Sequence, residues 1–207
     1  MKKLLAMMLI LCLITLCGCQ SQTAEENVIS PLPVTLDINN LTDCTVAVSL
    51  EKGDIFVDEN GNLQMNINVY TYDLYDMVDI AGLKVGDTFM RLGEKVEIKE
   101  IKRLDTGLIH INGGEEKGGF DLYTNENTVY YECGLSDIKA YYELGEVTLP
   151  LHENFVYSDE SDLDAEPILY TAEDLLTEKN QYMFTPHNTK VIIQNGYIVK
   201  MIKSYMP

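Results

Sequence analysis

Residues 63–70 read Leu-Gln-Met-Asn-Ile-Asn-Val-Tyr, and this stretch decides the fold. Apolar side chains occupy every second position and polar ones lie between them, which is the pattern of a β-strand with one buried face. Residues 44–50 alternate in the same way. Between the two runs, Asn60-Gly61 follows the apolar stretch 55–57, and Asn-Gly is a strong hairpin signal. The sequence therefore predicts paired antiparallel strands in this region.

Short runs of the same kind continue to the C-terminus, separated by turn residues. They lie at residues 96–101, 109–111, 120–122, 129–131, 147–149, 189–194 and 197–204. About ten to twelve short strands at this spacing predict an all-β fold, an antiparallel barrel or sandwich. Thr171 and Asp174 form a capping box, which predicts one short helix near 172–178.

The N-terminus has the organisation of an export signal. The basic pair Lys2-Lys3 precedes an apolar stretch, residues 4–16, that is shorter than the roughly 20 residues of a bilayer span. Leu16-Cys17-Gly18-Cys19 follows and resembles a bacterial lipobox. The resemblance implies that residues 1–18 are a lipoprotein signal peptide, cut before Cys19. It also implies that the Cys19 thiol receives a diacylglycerol group, whose acyl chains, such as palmitate, anchor the chain to the outer side of the membrane. The alternatives, an uncleaved anchor helix and a plain secretory signal, would also export the chain.

Three segments are expected along the chain. Residues 1–18 are the signal peptide, and residues 19–33 are the lipidated cysteine and a flexible tether, polar and then proline-containing, without periodicity. Residues 34–207 form a single β domain, since they contain no repeat and no second linker.

The charge balance restricts the possible partners. The chain carries 33 acidic and 15 basic residues, a formal charge of −18. Nucleic acid and anionic lipid headgroups would be repelled by this surface. Cations, neutral glycans and proteins remain as candidate ligands.

Two segments resemble parts of small exported lipoproteins of Gram-positive bacteria. Residues 75–88, YDMVDIAGLKVGDT, are similar to a YDxxDI..LKVGDT segment of that group, and residues 188–207 are similar to its closing NT.V...NG.I..I...Y.P pattern. The resemblance implies export and a β-rich fold. It implies no activity, because neither segment is a catalytic signature.

The chain has thirteen tyrosines and no tryptophan. Tyr70 and Tyr72 fall on the polar face of their strand, and Tyr130 and Tyr141 each belong to a tyrosine pair that places one ring on either face. Exposed tyrosines combine an apolar ring with a polar hydroxyl and suit contacts with sugars or proteins. These four residues are the candidate binding surface, and the alternative is cross-strand packing that shields the sheet.

Residues 158–166 carry five carboxylates. Ca²⁺ prefers several oxygen ligands, so Asp159, Asp162 and Asp164 are candidate calcium ligands. The segment lacks the spacing of an EF-hand. A solvated acidic loop is the competing interpretation.

One triplet suggests an enzyme. Asp105-Thr106-Gly107 matches the DTG triplet of aspartic proteases, in which two aspartates share a proton. A hydrolase would need a second carboxylate, which an aspartate of residues 73–87 could supply. The alternative is a hairpin turn, since Asp and Gly favour turns. His110, His152 and His187 lack metal-ligand spacing, and His110 is expected to face solvent.

Two cysteines remain beyond the lipobox. Cys44 and Cys133 share the apolar phase of their strands and are expected to point inward. A disulfide and two free thiols are both compatible with an exported protein, and we favour the free thiols.

Taken as a whole, the sequence predicts a lipid-anchored extracytoplasmic binding or interaction module of the cell envelope, held to the membrane through Cys19. An envelope glycan or protein is the candidate ligand, and calcium is the candidate cofactor. The alternatives are an envelope hydrolase with a carboxylate pair and a structural accessory subunit whose partner is encoded elsewhere.

Overall fold

The computed structural model describes residues 27–51, 53–124, 130–135, 138–177 and 183–206. Within these ranges it confirms the predicted all-β fold. There are more strands than the ten to twelve expected because several have only two or three residues, too few to show an alternation. The strands are β1 Val28–Ile29, β2 Cys44–Ser49, β3 Ile55–Val57, β4 Leu63–Tyr72, β5 Leu74–Asp76, β6 Thr88–Arg91, β7 Glu94–Glu97, β8 Ile101–Arg103, β9 Ile109–Ile111, β10 Phe120–Tyr123, β11 Tyr130–Leu135, β12 Ile138–Lys139, β13 Tyr141–Glu160, β14 Ile168–Tyr170, β15 Thr189–Gln194 and β16 Tyr197–Ser204.

Five strands close into a barrel, in the order β13, β16, β15, β2, β4 and back to β13. Closure depends on β13, whose first half, residues 141–150, pairs with β4 and whose second half, residues 151–160, pairs with β16. The β13–β16 pair is parallel, whereas the other barrel pairs are antiparallel. β3 adds to β4 and β14 adds to β13.

Side chains fill the interior of the barrel. Met65, Ile67 and Val69 of β4 are buried there, and the alternating polar residues of the same strand lie on the outer face, as the sequence predicts. Strands β2, β13, β15 and β16 contribute the other buried side chains of this core. Because a small barrel is packed by its own side chains, ligands are expected on its outer surface.

A second core lies among the remaining strands. One sheet has the order β12, β11, β10, β9, β8, with β5 also paired to β11, and a three-stranded sheet has the order β1, β6, β7. Strand β1 corrects the expectation that ordered structure begins at Val34. Val28 and Ile29 pair in parallel with Thr88 and Phe89, and Ile29 is buried.

Two short α-helices occur in the described residues, α1 at Met77–Gly82 and α2 at Ala172–Thr177. The predicted capping box precedes α2, where the Asp174 carboxylate accepts from the Thr171 backbone N–H at 2.7 Å. The residue at position 178 lies outside the described residues. Helix α1 was not predicted, and its N-cap is Asp76, whose side chain accepts from the Val78 N–H at 2.7 Å. No described helix is long and apolar enough to cross a bilayer.

Cys44 and Cys133 are free thiols in different parts of the fold. Cys133 is buried in the second core, as expected, whereas Cys44 on β2 is only half-buried beside the barrel core. Burial raises the pKa of Cys133 to about 11. Since the thiolate is the reactive form, Cys133 is protected both by its pKa and by its surroundings.

Iodoacetamide at pH 8 is therefore expected to alkylate Cys44 at least about tenfold faster than Cys133 in the native protein. Peptide mass spectrometry after timed quenching measures the two rates. In 8 M urea, used as the control, the two thiols should react at similar rates. Equal rates without urea would contradict the burial of Cys133.

Candidate functional site

Three of the four predicted tyrosines lie together on the outer face of the barrel. Tyr72 of β4 pairs directly with Tyr141 of β13, and Tyr70 lies two residues along the same face. All three side chains are partly exposed. Tyr130 is elsewhere, on β11 opposite Asp76, with 36% of its surface exposed. We call Tyr70, Tyr72 and Tyr141 the tyrosine surface.

The rings of the tyrosine surface are held by specific contacts. Tyr72 and Tyr141 meet edge to face with centroids 5.6 Å apart, and the exposed His187 ring lies 5.2 Å from Tyr141. Lys139 Nζ lies 3.8 Å from the Tyr72 ring centroid, a cation–π geometry. The Tyr70 hydroxyl accepts from Ser49 Oγ at 3.2 Å. The predicted alternative, cross-strand packing, thus accounts for part of this arrangement, and the exposed ring surface remains available to a partner.

Lys139 connects the tyrosine surface to the sheet that contains β11 and β12. Its ammonium group donates to the carboxylate of Glu132 at 2.6 Å, and Glu132 is buried. Burial alone would lower the pKa of Lys139, but hydrogen bonds to Glu132 and Tyr72 outweigh it and raise the pKa. Lys139 is therefore charged at neutral pH and fixes the position of the Tyr72 ring.

The outer face of the β4–β13 ladder continues as a polar surface. Glu143 lies opposite Tyr70, and Thr148 lies opposite Asn66. Thr148 Oγ1 donates to Asn66 Oδ1 at 3.1 Å, and the Asn66 amide donates to Glu146. The ladder ends at the pair of Gln64 and Pro150. The tyrosine surface is thus one end of a continuous hydrophilic sheet face.

At the other end of the ladder is a cleft of about 1220 Å³. It lies where β13 leaves β4 and joins β16, and the β13–β16 register shifts between Leu151 and Val156 at this point. The wall is made of β-strand ends, the 61–64 turn, the start of α2 and the β15–β16 turn. Its polar side chains are Asn62, Gln64, His152, Glu153, Asn154, Thr171, Glu173, Gln194, Asn195 and Tyr197.

Sequence reasoning did not find the cleft. Its polar groups come from four separate segments, residues 62–64, 152–154, 171–173 and 194–197, and nothing in a local pattern shows that these segments meet. One signal was present in residues 150–154, where Pro150 and the polar triplet His152-Glu153-Asn154 interrupt the alternation of a long strand. Such an interruption is typical of a bulge.

The structure does not bring the predicted calcium ligands together. Asp159 accepts from the N–H of Ser161 at 3.1 Å and lies 3.9 Å from Lys203 Nζ, while Asp162 accepts from the N–H of Asp164 at 3.0 Å. Burial would raise the pKa of Asp159, but the Ser161 hydrogen bonds and the Lys203 charge lower it. Over the described ranges, no three His, Cys, Asp or Glu side chains are grouped to hold a metal ion. The competing interpretation, a solvated acidic loop, fits Asp162 and Asp164, which are exposed, whereas Asp159 belongs to the end of β13.

The residues of the hydrolase hypothesis have local structural roles. Asp105 is exposed in the turn between β8 and β9, where Leu104 and Leu108 are hydrogen-bonded, as the alternative interpretation predicts. Asp73 accepts from the Leu92 N–H at 3.0 Å, and Asp87 accepts from the Lys84 N–H at 3.0 Å. These aspartates stabilise turns of the second core.

His110 has a partner that the sequence did not predict. Its Nδ1 lies 2.6 Å from a carboxylate oxygen of Asp121, the residue opposite it on β10. The backbone of Gly114 covers the pair, since a Cβ there would lie 2.6 Å from the same nitrogen. Asp121 is buried and His110 is half-buried, so His110 is less exposed than expected. The pair ties β9 to β10.

Comparison of the chain with protein-family models, curated proteins and solved structures gives no match. Cys19 and residues 1–18, which are predicted to be a signal peptide, lie outside the described residues.

Proposed function

We propose that the protein is a lipid-anchored extracytoplasmic binding module of the cell envelope. The export signal and the lipobox-like Cys19 support the anchor and the location. Two or three acyl chains on one cysteine give stable membrane attachment, whereas one chain alone is marginal. The partner is an envelope glycan or protein, and the charge of −18 disfavours nucleic acid.

The tyrosine surface carries this proposal. Tyr72 and Tyr141 present partly exposed rings on a sheet face, and Tyr70 extends the same row. Tyrosine is enriched in binding hot spots because it contributes a large rigid ring together with a hydroxyl. The hydrogen bonds and ring contacts of these residues hold the row in place before a partner arrives, which lowers the entropic cost of binding.

Replacement of both Tyr72 and Tyr141 by alanine is expected to lower binding to Gram-positive cell walls at least about tenfold, because the rings supply the contact area. The walls are first extracted free of lipid, so that the lipid anchor does not cause sedimentation. Co-sedimentation of the detergent-solubilised full chain measures the affinity.

Tyr130→Ala is the matched control, since Tyr130 is an exposed tyrosine on β11, which lies outside the barrel sheet. Circular dichroism checks that each variant is folded. A native protein that does not sediment with the walls, or a double variant that sediments as well as the native protein, would contradict the proposal.

A further inference from the structure

We propose that the cleft at the β13 partner change is a binding site for a neutral oligosaccharide. This inference goes beyond the tyrosine surface and does not depend on it, because the two sites lie at opposite ends of the β4–β13 ladder. It rests on the size of the cleft, the chemistry of its wall and its charge.

The size of the cleft favours an extended ligand. Pockets for single drug-sized ligands have volumes of roughly 300 to 1,000 Å³, and this cleft has about 1220 Å³. It is open to solvent along the barrel surface, with Asn154 and Gln194 exposed in its wall. A short chain of sugar rings fits such a groove better than one small molecule.

The wall offers groups that match sugar hydroxyls. A hydroxyl both donates and accepts hydrogen bonds, and so does a side-chain amide. Among the described residues, the amides of Asn154 and Gln194 have no hydrogen-bond partner and are free to bind. The amides of Asn62 and Gln64 are oriented by the Asp58 carboxylate, at 3.2 Å each.

An aromatic platform lies beside these amides. Tyr197 is 45% exposed, and its ring meets His152 edge to face at 6.1 Å. His152 Nδ1 accepts from the Asn154 N–H at 3.2 Å, so the neutral imidazole carries its proton on Nε2 and can donate there. An exposed ring next to polar groups suits a sugar, whose ring has an apolar C–H face and a polar rim.

The charge of the cleft selects a neutral ligand. The lining contains Glu153 and Glu173 and no lysine or arginine. An anionic sugar would therefore be repelled. A basic peptide is the competing occupant, but the amides and the tyrosine outnumber the two carboxylates, which come from separate elements, β13 and α2.

The test uses the full chain in lauryldimethylamine oxide, a detergent without a sugar headgroup. Maltoheptaose and tetra-N-acetylchitotetraose are titrated separately by isothermal calorimetry. We expect at least one of them to bind, and we expect Tyr197→Ala and Gln194→Ala each to weaken binding about tenfold or more. Tyr205→Ala is the matched control, because Tyr205 is 49% exposed and does not line the cleft. Circular dichroism confirms folding.

Three results would overturn the inference. The first is that neither oligosaccharide binds. The second is that the Tyr197→Ala variant binds as tightly as the native chain. The third is that hexalysine binds instead and that the double variant Glu153→Gln/Glu173→Gln loses this affinity. The test of the cleft can be distinguished from the test of the tyrosine surface. The double variant Tyr72→Ala/Tyr141→Ala should bind the oligosaccharide as the native chain does, even if it no longer binds cell walls.

Discussion

Replacing Gly119 by alanine is expected to destabilise the protein by more than about 3 kcal/mol. A Cβ at this position would lie 2.0 Å from the carbonyl oxygen of Ile111 and 2.7 Å from that of Asn112. Both contacts are with backbone atoms, which cannot rotate away as the end of a side chain can. The alanine is accommodated only if β9, which ends at Ile111, and β10, which begins after Gly119, move apart.

The neighbouring residues make separation costly. Phe120, the next residue, pairs with Ile111 across the β9–β10 ladder, and both side chains are buried in the second core. Moving either strand disrupts the core packing as well as the ladder. The Gly119 N–H also donates to the Gly114 carbonyl at 2.9 Å, which fixes the connecting loop.

Urea denaturation followed by circular dichroism measures the change in the free energy of unfolding. Gly82→Ala is the matched control, because a Cβ at Gly82 meets nothing within 4 Å and its backbone is not left-handed. A loss of less than about 1 kcal/mol in Gly119→Ala would show that the strands are not as close as the structure places them.

The parts of the fold that the sequence predicted are those with a local signal. The alternation of residues 63–70 places Met65 and Ile67 in the barrel core, because side chains on a strand change face at each residue. The β15–β16 hairpin turns at Asn195-Gly196, a dipeptide typical of such turns, and both residues have the positive φ that the turn requires. Such features depend only on neighbours in the chain.

Barrel closure could not be predicted in this way. It depends on β13, which changes partner after Pro150 and then runs parallel to β16, a strand some forty residues further along the chain. Alternation shows which face is buried but does not show which strand lies beside which. Strand β1 was missed for a similar reason, since two residues carry no period.

The candidate sites follow the same division. Tyr70 and Tyr72 share a face because side chains alternate along β4, and this alternation could be predicted from the sequence. Tyr141 joins them because β13 pairs with β4, and this pairing could not be predicted. The acidic residues of 158–166 were grouped by sequence proximity, and the structure shows that carboxylates close in sequence bind their own backbone and Lys203 instead of converging. The cleft required knowledge of which strand ends meet.

Replacement of Cys19 by alanine is expected to reduce incorporation of labelled palmitate to background. The thiol of Cys19 is the position to which the lipobox resemblance assigns a diacylglycerol group, and alanine offers no sulfur to carry that group. The full chain and the variant are expressed in a bacterium that processes lipoproteins and grown with azido-palmitate. Gel fluorescence measures the label, and mass spectrometry of the N-terminus locates the cleavage.

Cys17→Ala is the matched control, because it removes a thiol two residues away and leaves the proposed acceptor intact. This variant should keep the full label and should be cleaved before Cys19. Palmitate that persists in Cys19→Ala, or a native chain that carries none, would refute the lipid anchor. A native chain that carries none but is cut elsewhere is a plain secretory protein, and then the binding module acts free of the membrane, since attachment by acyl chains is what holds an exported domain at the surface.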